Sequence, residues 1–399
     1  MNNTIKLAVA SALLAAASSA SAAGGIVAGD WTLDIGGVVN AYYTTTKASG
    51  TASGKGYLGT FSGGTNEPGA GNKVSNITTG LLPNYLTVSG KTRQNDLDVT
   101  FLISINPGAS VTESGGQGAN QENRQAFLTF GDASWGSIKL GKDLGIFASD
   151  AILNDMTLLG VGAGAGNLKG NTTTLGRIGT GFLYADWKSQ IAYTSPNFNG
   201  FSFTAGVTQA WNARNTFDAT ADKSVGRGGN EPAFEGKASY AFAADAVTGK
   251  AWVSGISQKV EEYGKTASAF DVGANVNAAG FGLTGYYFDG KGAGQTMWLL
   301  NSFDAAGDKR DSDGYYVQGT YTLPGVGTKL GVSYGESILH DSGDGSLDTK
   351  VEDSMWTVGV YHPLTKHLNL VAEYSDAQQK YDGDKGTSKT MSLGAILFF

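Results

Sequence analysis

Apolar and polar side chains alternate along this chain in short runs that return many times. In residues 97–105, Leu97, Val99, Phe101, Ile103 and Ile105 share one face, with Asp98, Thr100 and Ser104 opposite. Residues 389–399 repeat the pattern, with Met391, Leu393, Ala395, Leu397 and Phe399 against Thr390, Ser392 and Gly394. Successive side chains of a strand point to opposite faces, so a period of two marks a strand with unlike faces. Sixteen such runs are readable, near 30–46, 83–93, 97–106, 123–131, 136–143, 186–194, 200–209, 233–242, 249–258, 267–278, 280–289, 314–322, 328–337, 352–361, 367–378 and 389–399. Their connections alternate between short ones, such as Gln94–Asp96 and Leu323–Gly327, and longer ones near 47–82, 107–122, 144–185, 210–232, 259–266, 290–313, 338–351 and 379–388. Asn199-Gly200 and Pro324-Gly325 supply turn chemistry in the short class.

Short turns at one end and longer loops at the other are the rhythm of an up-and-down barrel in a membrane. Closure satisfies every backbone polar group in lipid, which an open sheet cannot do. The expected fold is therefore all-β: a 16-stranded antiparallel transmembrane β-barrel with short periplasmic turns and long extracellular loops. Aromatic placement agrees with two interfacial girdles. Trp31, Tyr193, Phe201, Phe281, Tyr321, Tyr361 and Phe399 lie at strand ends beside short turns or termini; Tyr43, Tyr287, Tyr315 and Tyr374 lie nearer the long loops. An exported soluble β-rich adhesin would also alternate, and detergent dependence of extraction separates the two.

Residues 1–23 read as a signal peptide: Lys6, a short apolar run from Leu7 to Ala17, then Ala20-Ser21-Ala22 as the cleavage pattern. That run is too short to span ~30 Å of hydrocarbon as a helix. The barrel would occupy 24–399. The absence of Cys excludes disulfides, thiolate metal sites and a thiol nucleophile. The net charge of −7 argues against nucleic acid as a partner. An enzyme barrel would need a His beside a nucleophile. His362 and His367 instead flank one short turn, and His340 sits in a loop. No cofactor is expected. The acidic loop residues Asp341, Asp344, Asp348, Glu352 and Asp353, with Asp376, Asp382 and Asp384, leave loop-bound calcium as a minor alternative.

Three segments resemble the trimeric general porins of Gram-negative outer membranes. Asn123–Lys142 resembles the hairpin before that family's third loop, and Ser189–Phe203 resembles the next hairpin. Phe399 on an alternating strand resembles the C-terminal signal read by the barrel-assembly machinery. The resemblance implies a water-filled channel for ions and small hydrophilic solutes, a homotrimer, and contact with outer-membrane lipid and lipopolysaccharide. A substrate-selective channel for a sugar, anion or amino acid is the alternative. It also implies an inward-folded third loop, here about 144–185, whose acids face basic wall residues. Asp143, Asp150 and Asp155 are the acids so implied; Lys91, Arg93, Arg124 and Lys139 are the bases, with Arg93, Arg124 and Lys139 expected across from Asp150 and Asp155.

Overall fold

The computed structural model describes residues 25–50, 73–109, 121–163, 173–215, 229–342 and 349–399. The leader expected at 1–23 lies outside them. Sixteen long strands form one closed antiparallel sheet. They are β1 Trp31–Gly50, β2 Tyr85–Gln94, β3 Leu97–Pro107, β4 Ala126–Asp132, β5 Gly136–Leu144, β6 Trp187–Thr194, β7 Phe201–Thr208 and β8 Ala233–Ala244, followed by β9 Val247–Val260, β10 Lys265–Ala278, β11 Phe281–Lys291, β12 Asp311–Thr322, β13 Lys329–Leu339, β14 Val351–Pro363, β15 Leu368–Tyr381 and β16 Asp384–Phe398. The ring closes where β16 pairs with β1, from Gly386 opposite Gly50 to Phe398 opposite Val38. Short pieces at Ile26–Ala28, Lys73–Thr78 and Gln121–Glu122 edge the same barrel. Among the described residues no helix is long and apolar enough to cross a membrane; the crossing is made by strands.

Two of the connections read as long are tight hairpins. Residues 382–383 join β15 to β16, and 261–264 join β9 to β10. Asp382 and Gly383 both have positive φ, the requirement of a two-residue hairpin turn. Composition hid these ends because the strands run on past the apolar band. There both faces are wet and the period of two fades. The same holds at β1, whose Thr44-Thr45-Thr46-Lys47 run stays extended by pairing with β16.

The outer face is the one the alternation identifies. Ile35, Val39, Leu86, Val88, Ile103, Leu283, Val332 and Leu393 are all exposed and apolar. Trp31–Phe101, Tyr193–Phe203 and Phe281–Tyr321 form ring pairs near the short turns, at centroid distances of 5.5, 5.8 and 4.4 Å. Tyr361 is a correction. Its parity on β14 is that of Met355 and Thr357, so it points inward, and its hydroxyl donates to Glu373 at 2.6 Å.

Phe399 shares the outward parity of Leu393 and Leu397 and is bonded into the seam. Its N–H donates to the Gly37 carbonyl at 3.1 Å, and its own carbonyl accepts from Gly37 N–H at 2.9 Å. Removing Phe399 is expected to lower outer-membrane levels and leave unfolded chain in the periplasm, read by cell fractionation and heat-modifiable gel mobility. Undiminished assembly would take the last residue out of the argument.

The interior departs from simple polarity. Trp252, Ile256, Tyr286, Phe288, Tyr316, Val371, Ile396 and Phe398 are buried on inward positions. They form the seats for a loop that enters the barrel. One apolar cluster joins Phe147, Ala151, Ile152, Phe182 and Leu183 of that loop to Trp252, Ile256, Tyr286 and Tyr316 of the wall. A second joins Met156 and Val161 to Val38, Tyr42, Tyr361, Val371 and Ile396. The loop therefore reaches from the β9–β12 wall to the β14–β1 wall. The family resemblance implied that it enters the barrel, and it does.

Candidate functional site

The loop between β5 and β6 holds one short helix, α1, at Ser149–Asn154 and a 3-10 turn at Met156–Leu159. Its backbone is fixed to the wall at successive points. Glu235 on β8 accepts the N–H groups of Ile146 and Phe147, each at 2.8 Å. Ser254 on β9 accepts from Ala148 N–H at 3.2 Å. On β12 the Tyr316 hydroxyl donates to the Ala151 carbonyl at 2.9 Å, and Gln318 bonds Met156 N–H at 2.6 Å and the Asn154 carbonyl at 3.0 Å. Glu373 on β15 accepts from Val161 and Gly162 N–H at 2.7 and 2.9 Å. A side chain at Gly160 would collide with the Glu373 carboxylate, and one at Gly335 would meet the Thr180 carbonyl at 2.4 Å, so glycine at both positions permits the close approach.

Charge follows the same plan. Glu235 also accepts from Lys188 Nζ at 2.6 Å and Thr208 Oγ1 at 2.8 Å, so one buried carboxylate satisfies four donors. Arg177, fully buried in the second half of the loop, donates to the Met355 carbonyl at 2.8 Å and to Ser333. Asp150 in α1 is held by Lys237 of β8 at 3.3 Å and by Lys250 of β9. Burial alone would raise the Asp150 carboxyl; the two lysines outweigh it and leave it below the ordinary carboxylate range. Asp155 goes the other way. Burial raises it, against Arg177 and the Thr157 N–H that it accepts at 3.0 Å as the cap of the 3-10 turn.

The residues expected to oppose one another are spread along the barrel. Arg93 sits at the short-turn rim, paired with Asp98 at 2.9 Å and Asp132 at 3.0 Å, not with Asp150 or Asp155. Arg124 sits at the long-loop mouth, where its Nε donates to Glu122 at 2.8 Å. It lies outside the strand, and its parity matches outward-facing Ala126 and Leu128. Asp155 is a cap buried within the loop, beside Arg177 of the same loop. Lys91 and Lys139 do share one inward row, Lys91–Thr100–Thr129–Lys139, across β2 to β5. Lys139 pairs with Asp143, which also accepts from Gln125 at 2.9 Å. Asp150 is the expected acid within the loop that meets wall cations, and those cations are Lys237 and Lys250. Sequence reasoning missed both, along with Glu235 and Glu373. The signal was present: each occupies the inward parity of its strand, Glu235 and Lys237 flanking Gly236 behind outward Phe234, and Glu373 between outward Ala372 and Tyr374.

Among the described residues no group of three or more His, Asp or Glu is placed to hold a metal. Glu352 is paired with Lys350 and Lys380 at 2.6 and 2.7 Å, and Asp353 accepts from Gln295 and Gln379. Asp344 and Asp348 lie outside the described residues.

A closed barrel of sixteen strands, apolar outside and narrowed inside by its third loop, is a membrane channel. The sequence matches the Gram-negative porin family over residues 8–383, and the chain belongs to that family. It forms an outer-membrane channel for the diffusion of small solutes. No curated protein matches the sequence. Among solved structures, the outer-membrane channel DcaP of Acinetobacter baumannii shares 15% identity at a TM-score of 0.65, covering 94% of this chain and 100% of that one. The anion-selective porin of Comamonas acidovorans shares 14% at 0.60, covering 92% and 100%. The trimer form of OmpT, an outer-membrane protein of Vibrio cholerae, shares 13% at 0.53, covering 92% and 99%. At these identities the likeness is one of fold.

Proposed function

We propose that ions and small solutes pass the third loop alongside α1, where Lys237 and Lys250 of the wall face the lumen, and that this passage favours anions. The observation that carries the reading is an asymmetry of exposure. Asp150 keeps 2% of its side chain accessible, whereas its partners Lys237 and Lys250 keep 25% and 16%. Asp143 keeps 11% against 31% for Lys139. The carboxylates are spent on holding structure, and the ammonium groups face the lumen. Fixed charge at a narrow, partly low-dielectric passage sets which ion enters. The negative total of the chain does not decide this, because the sign at the narrowest ring does. The test is the zero-current potential of the purified protein in a planar bilayer under a potassium chloride gradient at low salt. A potential of the chloride sign is expected; one of the potassium sign overturns the reading.

The same proposal includes a homotrimer, assembly through Phe399 by the barrel-assembly machinery, and contact with lipopolysaccharide. Support for the trimer is the trimer form of the Vibrio cholerae relative, together with exposed apolar residues on both sides of the seam, Ile35, Val39 and Tyr43 on β1 and Leu393 and Leu397 on β16. Light scattering in detergent should give three chains per particle. A stable single-chain mass would remove the trimer and leave the channel standing.

A further inference from the structure

A cavity of about 230 Å³ opens beside the third loop at the long-loop end of the barrel. It lies between residues 81–83, the ends of β5 and β6, α1 and the second half of the loop. Its wall is hydrocarbon: Leu81, Leu82, Leu153, Leu158, Ile178 and Met297. A passage for inorganic ions has no use for such a wall, since an apolar lining offers an ion nothing in exchange for its hydration. At one side the cavity carries Glu122, Arg124, Asp186 and Trp187. The Arg124 guanidinium lies 5.7 Å from the centre of the Trp187 ring and donates to Glu122. Asp186 accepts the Trp187 backbone N–H through one carboxylate oxygen at 2.7 Å. The indole Nε1 of Trp187 is buried beside the Tyr184 hydroxyl and makes no well-formed hydrogen bond. A buried donor with no well-formed bond can turn to a ligand acceptor.

We propose that this cavity binds α-amino acids with apolar side chains, such as leucine and phenylalanine, on their way through the channel. The proposal rests on the porin reading and deepens it by naming a solute class. The chemistry selects the class by three requirements. The hydrocarbon wall takes an apolar body, which sugars and inorganic anions lack. Arg124 and the indole N–H take a carboxylate, and Asp186 with Glu122 takes an ammonium group, so both charges must be carried on one end of the solute. The volume lies below the ~300–1,000 Å³ of sites for drug-sized ligands, which excludes long-chain fatty acids and favours a single residue over a peptide.

The test is block of the single-channel potassium chloride current by added solute. At about 10 mM, a concentration suited to weak sites, L-phenylalanine and L-leucine are expected to interrupt the current in proportion to concentration, and glycine is not. 3-Phenylpropionate, which has only the carboxylate, and phenethylamine, which has only the ammonium, should each block less well than L-phenylalanine. Leu153→Asp places a charge in the apolar wall and should abolish the block while the chloride current persists. If that variant does not assemble, Arg124→Gln gives the second reading. It should raise the half-blocking concentration of L-phenylalanine about tenfold, the effect of losing one charged hydrogen bond, and should not raise that of phenethylamine, since Glu122 is released from its partner. No block by L-phenylalanine, equal block by glycine, full block by either single-charge compound, or no change in Arg124→Gln would each overturn the assignment. Loss of all channel current in the unaltered protein would instead refute the porin reading beneath it.

Discussion

Glu235→Ala is expected to be the most damaging single substitution in the lumen. The carboxylate fastens the start of the third loop through two backbone N–H groups and also neutralises Lys188, whose side chain is 1% exposed. Its removal leaves a buried ammonium and two loop donors without partners. Breaking a buried pair from one side costs ~3–5 kcal/mol, because the remaining charge stays in place. The temperature at which the folded band converts to the unfolded band on gels should therefore fall clearly, and open-channel current should become noisier as the loop loosens. Removing both charges, by Glu235→Gln with Lys188→Met, should restore much of the thermal stability, since no uncompensated charge is left. A single variant as stable as the parent, with a quiet channel, would show that this carboxylate does not anchor the loop.

The second large effect belongs to Lys237 and Lys250. Replacing both by Ala takes two positive charges from the passage while leaving Asp150 beside it. The zero-current potential should move toward the potassium sign, most strongly at low salt, because screening shortens to ~10 Å at 0.1 M. The pH dependence should change with it. In the parent, Asp150 is held below the ordinary carboxylate range by the lysines, so its stabilising pair is complete above the unfolded value of ~3.9 and is lost only as pH falls through the lower folded value. In the double variant burial acts without opposition, and Asp150 takes up its proton at higher pH than before. Selectivity of the double variant should accordingly titrate in a range where the parent is flat. The corresponding substitution of Arg93 should change little at the constriction, since Arg93 is engaged at the rim with Asp98 and Asp132.

The barrel itself was legible because membrane strands must alternate over their apolar band. β3 and β16 announce both faces without help from any partner. Strand ends were less legible: beyond the lipid both faces of β15 and β16 are polar, and only the register of Tyr381 with Asp384 shows the hairpin. The entry of the third loop came from resemblance, and its anchors did not come at all. Alternation marks Glu235, Lys237, Lys250 and Glu373 as inward, yet gives no sign of which inward residue meets the loop, because that depends on a contact between segments far apart in the chain. The inward aromatics Trp252, Tyr286 and Tyr316 carried the missing information. An apolar residue on a lumen face is costly in water, and each of these is covered by the loop. Pairing also reassigned the basic residues: Arg93 and Arg124 satisfy local acids at opposite ends of the barrel, which residue type and parity could not foresee.

The chain contains no cysteine, so a single introduced thiol reports on one place without interference. Lys250→Cys puts that thiol beside Asp150, at the point where the current is proposed to pass. Adding a negatively charged methanethiosulfonate reagent to open channels of this variant replaces a lost positive charge with a negative one in the passage. The account predicts a stepwise fall in chloride current and a shift of the zero-current potential toward the potassium sign, with no response in the cysteine-free parent. An unchanged current and potential after complete modification, verified by mass, would contradict the claim that ions pass this station.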